Sequence, residues 1–346
     1  MGSVQQPKSS LPWVETPLIE SRPLSEAAGC LRGRSSPGMY FWSKSLRRAD
    51  ADQFRGIGNY VIQRLNSLPD EVTSPRHFYC VSGGNAGLAC IVAATSLGHK
   101  ATIIVASTCH ASTIKRLYSM GASAVITYGK NLAEADAYLK NTILKDDPLG
   151  IYVPPFDHED IWAGNATVMQ EIGWQMDHAD AVICSVGGGG LLCGVVEGLG
   201  RLGWNDTEVV AVETAGADSL AHSLRAGANM TLPGITSAAT SLGCVRVAEK
   251  AYEYSAAPGG AVRSIVLTDA EAAAACVRFA DEERTMLELA CGVNIAVIYK
   301  GILKQVLHRK LMPESKVVVI LCGGSNVTLE ILEGWREQHG GMFDEK

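Results

Sequence analysis

No apolar run in this chain reaches the ~18 residues needed to cross a bilayer, so a membrane protein is not expected. No C-x-x-C pair occurs among its ten cysteines, and Cys80, Cys90, Cys184 and Cys322 sit inside apolar runs. That usage fits a reduced compartment better than a disulfide framework. The first residues, MGSVQQPKSSLPW, contain no apolar signal core, so a cytoplasmic protein is the expectation. Excess positive charge is missing too. A formal net charge of −6 leaves no basic footprint for nucleic acid. Internal repeats and low-complexity tracts are absent. The sequons at Asn165, Asn205, Asn229 and Asn326 carry little weight in that setting. What is present is a 47% hydrophobic composition with 36 glycines over 346 residues, enough for a large core in one or two domains.

The most informative stretch is Ser185-Val186-Gly187-Gly188-Gly189-Gly190-Leu191-Leu192-Cys193-Gly194. A short apolar run, Ala181 to Cys184, reads as a buried strand, and Leu191 onward reads as a helix. A strand, a glycine turn and a helix N-terminus make an anion site, because free N–H groups point outward and the helix dipole adds positive charge. The glycines are contiguous, so this is not the spaced dinucleotide fingerprint, and no Gly-Lys-Ser/Thr follows to make a P-loop. A β-branched residue at Gly188 is expected to block anion binding by filling the approach.

From His77 the chain alternates strands and helices. Strands are expected at His77–Val81, Ala101–Ala106, Ala124–Thr127, Ala181–Cys184, Val209–Glu213 and Lys316–Cys322. Helices are expected at Phe54–Leu68, Ala86–Leu97, Ser112–Met120, Leu132–Ile143, around Asn165–Met176 and at 191–202, with a helix-rich stretch over 216–306. Thr16-Pro17-Leu18 opens an edge strand or turn, and Met39–Trp42 is a short strand. This order predicts an α/β fold with a parallel sheet, in which ligands bind beyond the carboxyl ends of strands. Two further loops satisfy that rule. Ser82-Gly83-Gly84-Asn85-Ala86-Gly87 suits a carboxylate, and Cys322-Gly323-Gly324-Ser325-Asn326 closes the last strand. Read alone, each is equally a tight turn into a helix.

These loops stand with Thr16-Pro17-Leu18, Pro154-Pro155-Phe156-Asp157, Glu213-Thr214-Ala215-Gly216, Ile235-Thr236-Ser237 and Glu288-Leu289-Ala290-Cys291-Gly292. Together they resemble the L-serine/L-threonine dehydratases, pyridoxal-phosphate (PLP) enzymes of the tryptophan-synthase-β fold type, over about Pro12 to Trp335. The resemblance implies a two-domain PLP fold type II, with twisted, mostly parallel sheets flanked by helices and an active-site cleft between the domains. Residues 1–46 and 156–346 would form the large domain and 47–155 the small one. Gly187, Gly188, Gly189 and Gly190 would hold the cofactor phosphate. Ser82, Gly83, Gly84 and Ala86 would hold a substrate carboxylate, with Asn85 also near the cofactor, and Cys322 would lie opposite the pyridine nitrogen. Glu213, with backbone at Ala217 and Leu242, would resemble a monovalent-cation site. A homodimer acting on a small-molecule carboxylate is the expected assembly.

One segment departs from the family pattern. Its cofactor-bearing lysine lies two positions before an Arg-Gly pair, and aligned on Arg55-Gly56 that position is Gln53. A carboxamide cannot replace the amine or shuttle a proton near neutral pH. The flanks are rewritten too, as Arg47, Arg48, Asp50 and Asp52. The Glu-Pro of the family is Glu288-Leu289, which puts local rigidity in question. Three readings follow. The first is a repurposed lyase or cyclase working by acid/base chemistry at Asp50, Asp52, Gln53 and Arg48, with PLP held non-covalently at most or not at all. The second is a PLP-dependent L-serine/L-threonine ammonia-lyase whose lysine has moved to Lys44. The third is a non-catalytic binding or regulatory protein.

Overall fold

The structure is a computed structural model that describes residues 15–28, 39–43, 51–69, 74–312 and 314–343, with backbone alone at 42, 43 and 51–53. In chain order its elements begin β1 (Leu18–Ser21), α1 (Arg22–Ala27), β2 (Met39–Ser43), α2 (Ala51–Asn66), β3 (His77–Val81) and α3 (Asn85–Ser96). Next come β4 (Lys100–Val105), α4 (Ala111–Ser119), β5 (Ala124–Thr127), α5 (Leu132–Tyr138), a π-helical turn (Leu139–Ile143), α6 (Leu144–Asp146) and β6 (Ile151–Val153). Then follow α7 (Glu159–Gln175), β7 (Ala181–Ser185), α8 (Gly190–Leu202), β8 (Glu208–Thr214), α9 (Ser219–Ala226), α10 (Glu249–Ala256) and β9 (Val262–Leu267). The chain finishes with α11 (Asp269–Glu283), α12 (Leu289–Tyr299), α13 (Leu303–Val306), β10 (Val317–Leu321) and α14 (Leu329–His339).

The described residues fall into two compact units, one of Glu15 with those of 53–155 and a second of those in 16–52 with those of 156–343. The first carries a four-stranded sheet in the order β5-β4-β3-β6, with every pairing parallel. Parallel neighbours need crossover helices, which is why the apolar strands alternate with α3, α4 and α5. Tyr79, Val81 and Ile104 pack on Ala135 and Leu139 beneath the sheet.

The second unit carries six strands in the order β1-β2-β10-β7-β8-β9. Only the β1–β2 edge pair is antiparallel. Side chains along a strand alternate between faces, and the two cores follow that period. Ile183, Val210, Val212 and Val319 face α11 and α12, whereas Val182, Cys184, Val209, Val318 and Ile320 face α7, α8 and α10. Both faces are covered, so the central strands read as continuous apolar runs rather than alternating ones.

The expected α/β, mostly parallel architecture is therefore what the chain adopts. Three expectations differ in detail. The helix anticipated from Phe54 starts at Ala51, so the backbone of Asp52 and Gln53 is helical. The helix anticipated around Asn165 starts at Glu159, where the His158 ring accepts from the Asp160 N–H at 3.1 Å and Glu159 and Asp160 complement the dipole. The helix-rich stretch 216–306 contains a strand, β9, at the sheet edge. No helix among the described residues is long and apolar enough to cross a membrane.

Candidate functional site

The glycine loop leaves β7, a strand fully buried between β10 and β8. Val186 closes the ladder by donating its N–H to the Val212 carbonyl at 2.8 Å. Gly189 then caps α8 in the left-handed region, at φ +88°, with no side chain to satisfy the first turn. The first helical bond runs from Cys193 N–H to Gly189 C=O at 2.9 Å. Among the described residues, the N–H groups of Gly187, Gly188, Gly189 and Gly190 have no hydrogen-bond partner. Four donors at a helix N-terminus form a cradle suited to an anion.

The cradle is packed closely from behind. A Cβ at Gly188 would overlap the Phe156 ring. One at Gly190 would lie 2.6 Å from the Phe156 carbonyl oxygen, and one at Gly189 would lie 2.5 Å from the Ala251 Cβ. Gly187 rests against Leu242, whose Cα would stand 3.1 Å from an added Cβ. Ala248, at the start of α10, donates its N–H to the Gly188 carbonyl at 2.9 Å. A side chain at Gly188 would also strike the Phe156 ring behind the loop, beside the expected obstruction of the anion's approach. Burial pushes the Cys184 thiol up to about 12 and raises Cys193 as well, so neither is a ready nucleophile.

In the first unit, Ser82–Gly87 joins β3 to α3. Gly84 is the N-cap in extended backbone, and its N–H donates to Ser82 Oγ at 3.2 Å. That donor, anticipated as free, serves a local turn. The N–H groups of Gly83 and Ala86 have no partner among the described residues. Gly87 is sterically required, since a Cβ there would overlap the Ser82 carbonyl. Cys109 Sγ backs Gly83, 3.3 Å from where a Cβ would stand. Asn85 opens the helix half-buried.

The loop after β10 passes through Cys322, half-buried, and two left-handed glycines, Gly323 at +84° and Gly324 at +98°. A Cβ at Gly324 would overlap the carboxyl of Glu288, which is buried at the N-cap of α12. Glu288 Oε2 accepts from Asn326 N–H at 3.2 Å. Leu289, which replaces the family's proline, starts α12 with a buried side chain, and the helix forms there without it.

Glu213, next to last in β8, has no solvent exposure. Its two oxygens accept from Leu220 N–H and Ala221 N–H, each at 2.8 Å, at the start of α9. Burial pushes its pKa up to about 8, while those two bonds pull it the other way. Ala217 N–H donates to Thr214 C=O at 2.9 Å, and the Leu242 carbonyl accepts from Cys244 N–H at 2.7 Å. Among the described residues no group of three or more His, Cys, Asp or Glu side chains is placed to hold a metal ion. Asp50, Arg47, Arg48 and Lys44 lie outside the described residues, as do the side chains of Asp52 and Gln53.

Sequence reasoning did not single out Phe156, Ala248, Ser241 or Asn326 as supports of these loops. Phe156 was visible only as part of Pro154-Pro155-Phe156-Asp157, and the other three act through contacts distant in sequence.

Comparison with known proteins finds relatives over nearly the whole chain. A family model described as "Pyridoxal-phosphate dependent enzyme" matches residues 10–323. The L-serine dehydratase/L-threonine deaminase of Bos taurus is 38% identical over 331 residues, covering 94% of this chain and 96% of that protein. The L-serine dehydratase of Saccharomyces cerevisiae (strain AWRI1631) is 36% identical over 311 residues, covering 86% and 91%. Among solved structures, a fungal L-serine ammonia-lyase from Rhizomucor miehei superposes with a TM-score of 0.81 at 30% identity, covering 94% of this chain and 98% of that one.

Proposed function

Because the chain belongs to the pyridoxal-phosphate dependent enzymes, we propose that it is a PLP-dependent ammonia-lyase for a small hydroxylated amino acid, L-serine or L-threonine. The observation that carries this reading is the glycine cradle at the end of β7, four unpartnered N–H groups at the start of α8. That donor set fits the cofactor phosphate. When bound, pyridoxal phosphate supplies an electron sink that acidifies the Cα proton of an amino acid. The net reaction on L-serine yields pyruvate and ammonia.

The chain's own residues divide the work. Gly187–Gly190 hold the phosphate, without any side-chain cation. Gly83 and Ala86 N–H groups, with Ser82 and Asn85, hold the substrate carboxylate. Cys322 would offer a thiol rather than a carboxylate to the cofactor ring, so this chain would supply no counter-ion there. Gln53 offers no amine, so under this reading a relocated lysine, Lys44, would link the cofactor and move the Cα proton. Glu213, whose two oxygens accept from Leu220 N–H and Ala221 N–H, would border a monovalent-cation site.

Release of 2-oxo acid from L-serine and L-threonine, with and without added PLP, tests the reading. Activity that needs PLP and is lost in Lys44→Ala supports it. Gln53 and the charged flank 47–52 favour a second reading, acid/base chemistry without a cofactor-bound lysine. Under it Lys44→Ala is silent, and Asp50→Ala or Asp52→Ala lowers turnover of a carboxylate substrate about 10²-fold or more.

A further inference from the structure

The segment 236–242 crosses from the end of β8 to the back of the glycine cradle and is hung from hydrogen bonds along its length. Thr236 N–H donates to the Gly216 carbonyl at 3.0 Å. Ser237 Oγ donates to Asp269 Oδ1 at 2.6 Å and lies 2.8 Å from Thr214 Oγ1. With its own proton given to Asp269, the Ser237 hydroxyl accepts from Thr214. Ala238 N–H donates to the second oxygen, Asp269 Oδ2, at 2.7 Å, and Ala239 N–H to Ser237 Oγ at 3.0 Å. At the far end Ser241 Oγ accepts from Asn326 Nδ2 at 3.0 Å. There the strap meets the cradle: an added Cβ on Gly187 would stand 3.1 Å from Leu242 Cα and 3.2 Å from the Ser241 carbonyl oxygen.

Packing and hydrogen bonds hold this strap together: Ala239 and Leu242 are buried in the core. A hollow of about 30 Å³, lined by Ala238, Ser241, Glu288 and Asn326 among others, lies against it. That is room for about one water. Beside that hollow its polar groups are held by hydrogen bonds, and the Asp269 carboxylate has both oxygens on the strap.

We propose that Asp269 and Ser241 are positioning residues for the phosphate cradle. Asp269 anchors one end of the strap, Ser241 ties the other end to the loop after β10, and the strap holds Gly187 where its N–H meets a phosphate oxygen. Neither residue touches the ligand. The inference rests on the phosphate reading proposed above.

The test compares pyridoxal 5′-phosphate with pyridoxal, which lacks the phosphate, on wild-type protein and on Asp269→Asn and Ser241→Ala, with thermal unfolding as a fold control. In each variant PLP affinity should fall about five- to tenfold, the effect of one lost hydrogen bond of position. Pyridoxal affinity should be unchanged. Ser241→Ala keeps the strap backbone intact and decides the matter alone if Asp269→Asn does not fold. Unchanged PLP affinity in a folded variant overturns the inference, and so does an equal loss for both ligands. A wild-type protein that binds pyridoxal as well as PLP overturns the phosphate reading itself, and the inference with it.

Discussion

Glu213 is a carboxylate held where charge is costly. Its folded pKa, about 8, stands above the ordinary 4.5, so the folded state keeps the proton that the unfolded state releases. Its contribution to stability is fully present below pH 4.5 and is lost as pH rises towards about 8. Melting temperature followed across that window should fall less in Glu213→Gln than in the wild type, since the amide does not titrate. Parallel curves would show that Glu213 is ionised throughout. Gly324 gives a second prediction at this scale. At φ +98° any other residue is strained by roughly 1–2 kcal/mol, and its Cβ would overlap Glu288. Gly324→Ala should therefore lower the unfolding free energy by more than that strain, measured by denaturant titration. Glu288→Ala in the same chain should restore part of the loss.

At the scale of elements, the strand–glycine–helix units were legible because contiguous glycines after an apolar run leave few alternatives. β7 into α8 and β3 into α3 followed from local pattern alone. β9 was missed because Val262–Leu267 is a short edge strand between helices, although the capping box that ends it, Thr268 with Glu271, is a readable signature. The supports of the cradle were illegible for a different reason. Phe156, Ala248 and Leu242 reach it across separations of tens of residues, and nothing in their own neighbourhoods announces the contact. The Phe156–Gly188 contact yields a test. Gly188→Ala should destabilise by about 1–3 kcal/mol, as overpacking does, and weaken phosphate binding. The double variant Gly188→Ala with Phe156→Ala should recover stability relative to Gly188→Ala alone. Strict additivity of the two losses would show that the ring does not back the loop.

Taken as a whole molecule, the chain belongs to the pyridoxal-phosphate dependent enzymes, whose family model matches residues 10–323, and it superposes on a fungal L-serine ammonia-lyase with a TM-score of 0.81. The resemblance, aligned on Arg55-Gly56, puts Gln53 where the family carries its lysine. The account therefore turns on where the cofactor is linked. Borohydride reduction of the PLP-loaded protein, followed by peptide mass spectrometry, answers this directly. The proposed function predicts one PLP fixed per chain, on Lys44. PLP recovered entirely free of the protein after reduction, or fixed on a different lysine, would contradict it.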